Sequence, residues 1–259
     1  MTQDLTRRAF LQFLAAVLIL PETPRAAFAA AKTVAIPVLL YHDISPEHTD
    51  DYTLPPALFA AQMEWLCAEG YRAVSFADLA SSALPERACI ITFDDGYASF
   101  IPYALPFLQA YGFKATINII GQHVASHIKD GIIRPMLAWD EYRYLAATGL
   151  VDFGCHTERL HVYRHQGAAG VADSVLLEDL AQFQKNFVRE MGKRCDILAW
   201  PYGFYTEKSV AAARKAGFRY LLTSKRGVYL RTDAPWDIPR NNITPDDNLL
   251  TFPSIFEVS

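Results

Sequence analysis

The chain is 259 residues long, 51% hydrophobic and 20% charged, with a formal net charge of −4. This composition excludes a disordered chain, a collagen and a coiled coil, and the length suits one large α/β domain or two small ones. The acidic balance argues against a nucleic-acid partner, which selects for a basic surplus.

Residues 1–31 read as an export address. Arg7 and Arg8 precede an apolar run from Ala9 to Leu20, broken only by Gln12. As a helix this run would rise about 18 Å, short of the ~30 Å hydrocarbon core. Ala27-Phe28-Ala29 has the small-residue form that signal peptidase accepts. Thr6-Arg7-Arg8-Ala9-Phe10-Leu11 resembles the twin-arginine export signal. Residues 1–29 are therefore set apart as a signal peptide, with cleavage after Ala29 or, alternatively, Ala31. Residues 30–259 are the mature domain, with no membrane span expected after cleavage.

The mature chain alternates strand and helix. Ala35 to Tyr41 is a continuous apolar run, a strand buried on both faces. Residues 56–69 predict a helix, with Phe59, Met63, Leu66 and Cys67 on one face and Gly70 as its stop. Ala73 to Phe76 reads as a short strand and Ala88 to Phe93 as a buried one. Ile101 to Tyr111 predicts a helix, Lys114 to Ile120 a strand and Trp139 to Thr148 a helix. Val151 to Cys155 is a strand, and 173–191 a long helix with Leu176, Leu180, Phe183 and Phe187 aligned. Ile197 to Trp200, Thr206 to Ala216 and Tyr220 to Thr223 continue as strand, helix, strand. Residues 226–259 are the least regular stretch. Such repeats, without a GxGxxG after the first strand, favour a parallel (β/α) barrel, distorted and complete or incomplete, over a dinucleotide-binding sheet. Cys67, Cys89, Cys155 and Cys195 form no CxxC pair, and buried thiols are the favoured reading over disulfides.

Three strands end in unusual polar groups. Thr92-Phe93-Asp94-Asp95-Gly96 puts two carboxylates where a parallel barrel keeps its chemistry. Neighbours on an extended chain point oppositely, so one Asp can bind a metal while the other faces a water beside it. Alone, the triplet also reads as a solvated turn. His156-Thr157-Glu158-Arg159-Leu160-His161 ends a second strand. Five residues on a helix rotate by about 140°, so these imidazoles must converge through a loop. Imidazoles with a carboxylate are a common zinc set. Trp200-Pro201-Tyr202-Gly203 ends a third strand with a turn that can aim a backbone N–H or a ring into a cleft.

TFDDG, HTERLH and WPYG, in this order, resemble the polysaccharide deacetylases of carbohydrate esterase family 4, the NodB-homology domain. The resemblance covers roughly residues 34–245. Val38-Leu39-Leu40-Tyr41-His42 and the five-residue histidine spacing resemble the exported poly-β-1,6-N-acetylglucosamine deacetylases of biofilm systems. The resemblance implies Asp94 as general base, and Asp95, His156 and His161 as ligands of one divalent metal, usually zinc. It implies the Tyr202 backbone N–H as an oxyanion donor. It implies an N-acetylglucosamine polysaccharide as partner and a periplasmic or cell-envelope location. The alternatives are peptidoglycan or chitooligosaccharide deacetylation, or sugar binding on a weakened scaffold. Protein partners are not indicated. Two departures stand out. Ala199 occupies the position of the arginine that normally pairs with the catalytic Asp, and Arg240 is the expected replacement. No His follows His165, so the usual acid is missing. His42 shares the rim as a shaping or structural residue. Trp139-Asp140, Tyr202 and Trp236-Asp237 are candidates for a sugar cleft.

Overall fold

The computed structural model describes residues 34–257 apart from 48–49, 82 and 130–131, and these fall in one compact unit. The export signal expected at 1–29 lies outside the described residues. Among the described residues, no helix is long and apolar enough to cross a membrane.

Six strands carry the fold: β1 (Ala35–Tyr41), β2 (Ala88–Asp95), β3 (Ala115–Ile119), β4 (Val151–Cys155), β5 (Ile197–Ala199) and β6 (Tyr220–Leu222). They lie side by side in chain order, every pairing parallel. All eight residues of β2 are buried. Strands covered on both faces read as unbroken apolar runs, which is why these elements were visible in the sequence.

The helices α1 (Pro56–Ala68), α2 (Leu105–Tyr111), α3 (Trp139–Ala147), α4 (Asp173–Met191) and α5 (Glu207–Lys215) connect the strands. In α4, Leu176, Leu180, Phe183 and Phe187 are buried as the spacing predicts. Gly192 ends α4 at φ 71°, a left-handed residue that glycine adopts without strain. The single helix expected over 101–111 is instead two pieces, Phe100–Tyr103 and Leu105–Tyr111. Pro106 lacks the N–H that a continuous helix would bond to residue 102, and its ring crowds that carbonyl. The strand expected over Ala73 to Phe76 shrinks to Arg72–Ala73, because Ser75 turns to bond Asp78. The cysteines are free thiols, with Cys89, Cys155 and Cys195 buried and Cys67 half-buried.

The stretch read as least regular contributes two strands. β7 (Val228–Leu230) runs antiparallel to Ala35–Pro37, and β8 (Asn241–Asn242) runs parallel to Leu39–Leu40 on β1. Both are too short for periodicity to reveal. Just before β8, Ile238 bridges to Leu222 of β6, and Thr223 N donates to the Ile238 carbonyl at 2.9 Å. The sheet curls into a half-barrel, and segment 238–242 lies against both β6 and β1. That placement carries Arg240 into the interior, beside the C-terminal ends of the parallel strands.

Candidate active site

The C-terminal strand ends line a cavity of about 580 Å³, which receives Asp94, Asp95, His156, His161, Tyr202, Arg240 and His42. The catalytic and metal-ligand candidates from the sequence thus meet in one place, whereas the pairs Trp139-Asp140 and Trp236-Asp237 do not join them. Trp139 and Trp236 are not among the lining residues. Trp139 packs on Tyr142 and Phe187, and Trp236 lies under Arg214.

Strand alternation would send Asp94 and Asp95 to opposite faces. Both face the cavity because Asp95 has φ 77° and breaks the extended chain. Thr157 (φ 69°) and Tyr202 (φ 55°) are left-handed as well. Each of the three motifs therefore contains one non-glycine residue in a costly conformation, about 1–3 kcal/mol apiece. Such strain persists where packing over-determines the backbone, and it gathers here at the cavity. Gly96 follows at φ 92°, and a Cβ there would strike the Tyr142 hydroxyl.

Asp94 is fully enclosed and its carboxylate is clamped. Arg240 Nη1 donates to Oδ1 at 2.7 Å and Nη2 to Oδ2 at 2.8 Å, while Asn118 Nδ2 donates to Oδ1 at 2.7 Å. Arg240 is 1% exposed and also donates from Nε to the Thr223 carbonyl and from Nη1 to Thr92 Oγ1. Burial alone would raise the Asp94 carboxyl. The Arg240 charge and its hydrogen bonds outweigh burial and hold it well below the usual carboxylate range. Oδ1 is occupied twice, whereas Oδ2 faces His156 Nε2 at 3.7 Å. Asp94 thus keeps a proton-accepting oxygen turned toward the histidines.

Asp95, His156 and His161 each offer one ligand atom, and those atoms lie within 4.8 Å of one another. Asp95 Oδ1 is 3.4 Å from His161 Nε2 and 3.8 Å from His156 Nε2. Tetrahedral zinc with bonds of about 2.0–2.1 Å spaces its ligand atoms by about 3.4 Å. His156 Nδ1 donates to the Ala199 carbonyl at 2.8 Å, because a carbonyl can only accept. That bond fixes the tautomer that leaves Nε2 with its lone pair toward the centre. The donor set, its spacing and this tautomer fit a divalent metal.

The loop joining the two histidines is held from outside the motif. Asp179 on α4 accepts the Glu158 and Arg159 backbone N–H groups, both at 2.8 Å, and Asn186 donates to Glu158 Oε1 at 2.8 Å. Sequence reasoning missed Asp179. The signal was an acid on the mostly apolar buried face of α4, between Leu176 and Leu180. Asn118 was missed for a similar reason, since within β3 it reads as a flaw in an apolar strand. A Cβ on Gly154 would strike Asn118 Oδ1, so the glycine at β4 makes room for that amide.

The polysaccharide deacetylase family profile matches residues 81–221 of this chain. The chain belongs to the polysaccharide deacetylase family. YxkH of Bacillus subtilis (strain 168), a protein named for polysaccharide deacetylation, is 27% identical over 219 residues, covering 83% of this deacetylase and 73% of the relative. The poly-β-1,6-N-acetyl-D-glucosamine N-deacetylase of Staphylococcus aureus (strain MSSA476) is 23% identical over 214 residues, 80% of this deacetylase and 73% of the relative. Among solved structures, IcaB from Ammonifex degensii superposes with a TM-score of 0.76 at 27% identity, covering 86% of this chain and 97% of that one. The deacetylase therefore carries hydrolytic chemistry on the half-barrel, with an Asp–His–His group able to hold a metal ion.

Behind Asp95 stands a second layer. Tyr97 hydrogen-bonds Asp95, and its hydroxyl is pushed far up by burial and then by the Asp95 charge. Arg134 lies over the Tyr97 ring, 5.5 Å from its centroid, and pairs with Asp43 at 3.5 Å and with Asp50. In the deacetylase, Tyr97→Phe is expected to weaken metal binding about tenfold to a hundredfold. Competition against a chromophoric chelator measures this, with circular dichroism confirming the fold.

Proposed function

We propose that this protein removes N-acetyl groups from N-acetylglucosamine units of an extracellular polysaccharide, with poly-β-1,6-N-acetylglucosamine as the first substrate to test. The observation that carries the reading is the clamped Asp94 carboxylate, whose Oδ2 turns to the Asp95–His156–His161 group. The name of the staphylococcal relative supports the linkage. Residues 1–29 support export to the periplasm or cell envelope.

The roles follow from the geometry. Asp95, His156 and His161 would hold the divalent cation, zinc by its donor set. When bound, such a cation supplies a Lewis acid for the acetamide carbonyl and lowers the pKa of water toward neutrality. Asp94 Oδ2 accepts the proton of the attacking water, and Arg240 keeps that carboxylate ionised and aimed. Tyr202 lines the cavity in a left-handed turn, and we assign its backbone N–H to the oxyanion of the tetrahedral intermediate. The leaving amine needs a proton. His42, at the end of β1, lines the cavity and lies near enough to Asp94 for its charge to lower that carboxyl. We assign it the role of general acid. His42→Ala is expected to lower kcat about a hundredfold while leaving metal affinity intact, as rate assays and zinc titration would read.

Sugar binding on an inactive scaffold loses one of its two supports, since Arg240 stands on the base where the family arginine is missing. The deciding experiment is free-amine release from N-acetylglucosamine oligomers of β-1,6 and β-1,4 linkage, with zinc and with chelator. The proposal expects chelator-sensitive release with preference for the β-1,6 series. Preference for β-1,4 would move the substrate to peptidoglycan or chitooligosaccharides. Release that survives chelation would remove the metal from the mechanism.

A further inference from the structure

The loop that ends in His161 does not stop at the cavity. His161, Tyr202 and Tyr163 form a stair of rings leading outward: centroids lie 4.6 Å apart for His161–Tyr202, then 5.3 Å for Tyr202–Tyr163, the latter at 84°. Phe204 flanks the outer step, 5.7 Å from Tyr163 and 6.2 Å from Tyr202. Tyr202, Tyr163 and Phe204 all line the same cavity as Asp94. Tyr163 is 68% exposed, unusual for a large ring with no covering element.

The outer step is a built feature. The backbone folds tightly beneath it: Val162 N bonds the Leu160 carbonyl at 2.9 Å, and Gln166 N bonds the Tyr163 carbonyl at 3.3 Å. Gly167, at φ 49°, lies so close to the Val162 and Leu160 carbonyls that a Cβ would meet them at 2.8 and 2.9 Å. The turn that presents Tyr163 therefore requires glycine. A neutral, exposed ring held rigidly beside a reaction centre offers an apolar face at little entropic cost.

The geometry points to Tyr163, flanked by Phe204, as the platform for the pyranose ring next to the one being deacetylated. This inference rests on the proposed reading of the site. β-linked 2-acetamido-2-deoxyglucose carries equatorial substituents, so its ring faces present only C–H groups. Such a face stacks on a phenol ring through dispersion and the ring's negative π-face. The platform is neutral, so it takes acetylated and deacetylated neighbours alike. It makes the enzyme prefer chains over single sugars, and it places that preference on the same loop that carries His161.

The test compares kcat/KM on N-acetylglucosamine oligomers of one to five units for the wild type, Tyr163→Ala, Tyr163→Phe and Phe204→Ala. The wild type is expected to gain with length. Tyr163→Ala is expected to lower the pentamer-to-monomer ratio about tenfold, and Tyr163→Phe to keep it. Phe204→Ala is expected to lower the ratio by a smaller factor. An equal loss at every length would overturn the platform, because it would show that Tyr163 merely props Tyr202 and His161. An unchanged ratio would overturn it too. If the wild type releases no amine from any oligomer, the deacetylase reading fails on its own. Calorimetric titration with the pentamer then decides the platform: tighter binding to wild type than to Tyr163→Ala upholds it, and equal binding ends it.

Discussion

Asp94→Asn is expected to lower kcat by about 10²- to 10⁴-fold while leaving metal affinity nearly intact. The amide keeps the shape of the carboxylate but cannot accept the proton of water. The metal group is separate, since Asp95, His156 and His161 all remain. The substitution also strands the enclosed Arg240 guanidinium, whose two donors lose their charged partner. Removing one member of a buried pair costs about 3–5 kcal/mol. For a domain of this size the midpoint of unfolding should fall by roughly 10 °C. Calorimetry and zinc titration on the same sample separate the two effects. Full activity in Asp94→Asn would remove this carboxylate from the chemistry.

Arg240→Ala attacks the same pair from the other side and should leave a different signature. Burial pushes the Asp94 carboxyl up, and the Arg240 charge with its hydrogen bonds overrides that. Without the guanidinium the carboxyl rises, and less of the base is ionised at a given pH. The acid limb of kcat/KM should therefore move to higher pH, with a loss of about a hundredfold near neutrality. The stability profile changes in step. A carboxyl held low in the folded state contributes stability above its unfolded pKa of about 3.9 and loses it as pH falls toward the folded value. Arg240→Ala should erase that contribution, so the variant's deficit is large at pH 7 and shrinks in acid. Arg240→Lys restores the charge without the two-pronged fork, so it should recover part of the pH shift and less of the rate. An unmoved acid limb in Arg240→Ala would show that the arginine is structural.

How much of this was legible in the sequence depends on what each residue had to do. The strands that became β1 to β6 were visible because enclosure on both faces demands unbroken apolar runs. Asp95, His156 and His161 were visible as candidates because polar residues directly after such runs are conspicuous. Arg240 could be suspected only from a gap elsewhere, at Ala199, since nothing in Ile238-Pro239-Arg240 shows that the segment turns inward between β6 and β1. Asn118 and Asp179 were invisible as site residues. Each sits within an element whose pattern it interrupts, and its partner is distant in the chain. Asp94 and Asp95 were expected in one site, but the left-handed backbone at Asp95 that turns both toward the cavity was not, because alternation assumes an extended chain. Strain of this kind depends on tertiary packing and leaves no mark in a residue pattern.

The clamp on Asp94 joins positions 146 apart, and it exists only once 238–242 has docked against both β1 and β6. Contacts that close such long loops form late, after local helices and neighbouring strands have gathered. On the proposed role of Arg240, a collapsed chain with its helices in place would thus work poorly until its final quarter locks in. On that reading full activity reports completed folding, and a cut through the exposed turn after β7 is expected to weaken the enzyme without touching Asp95, His156 or His161.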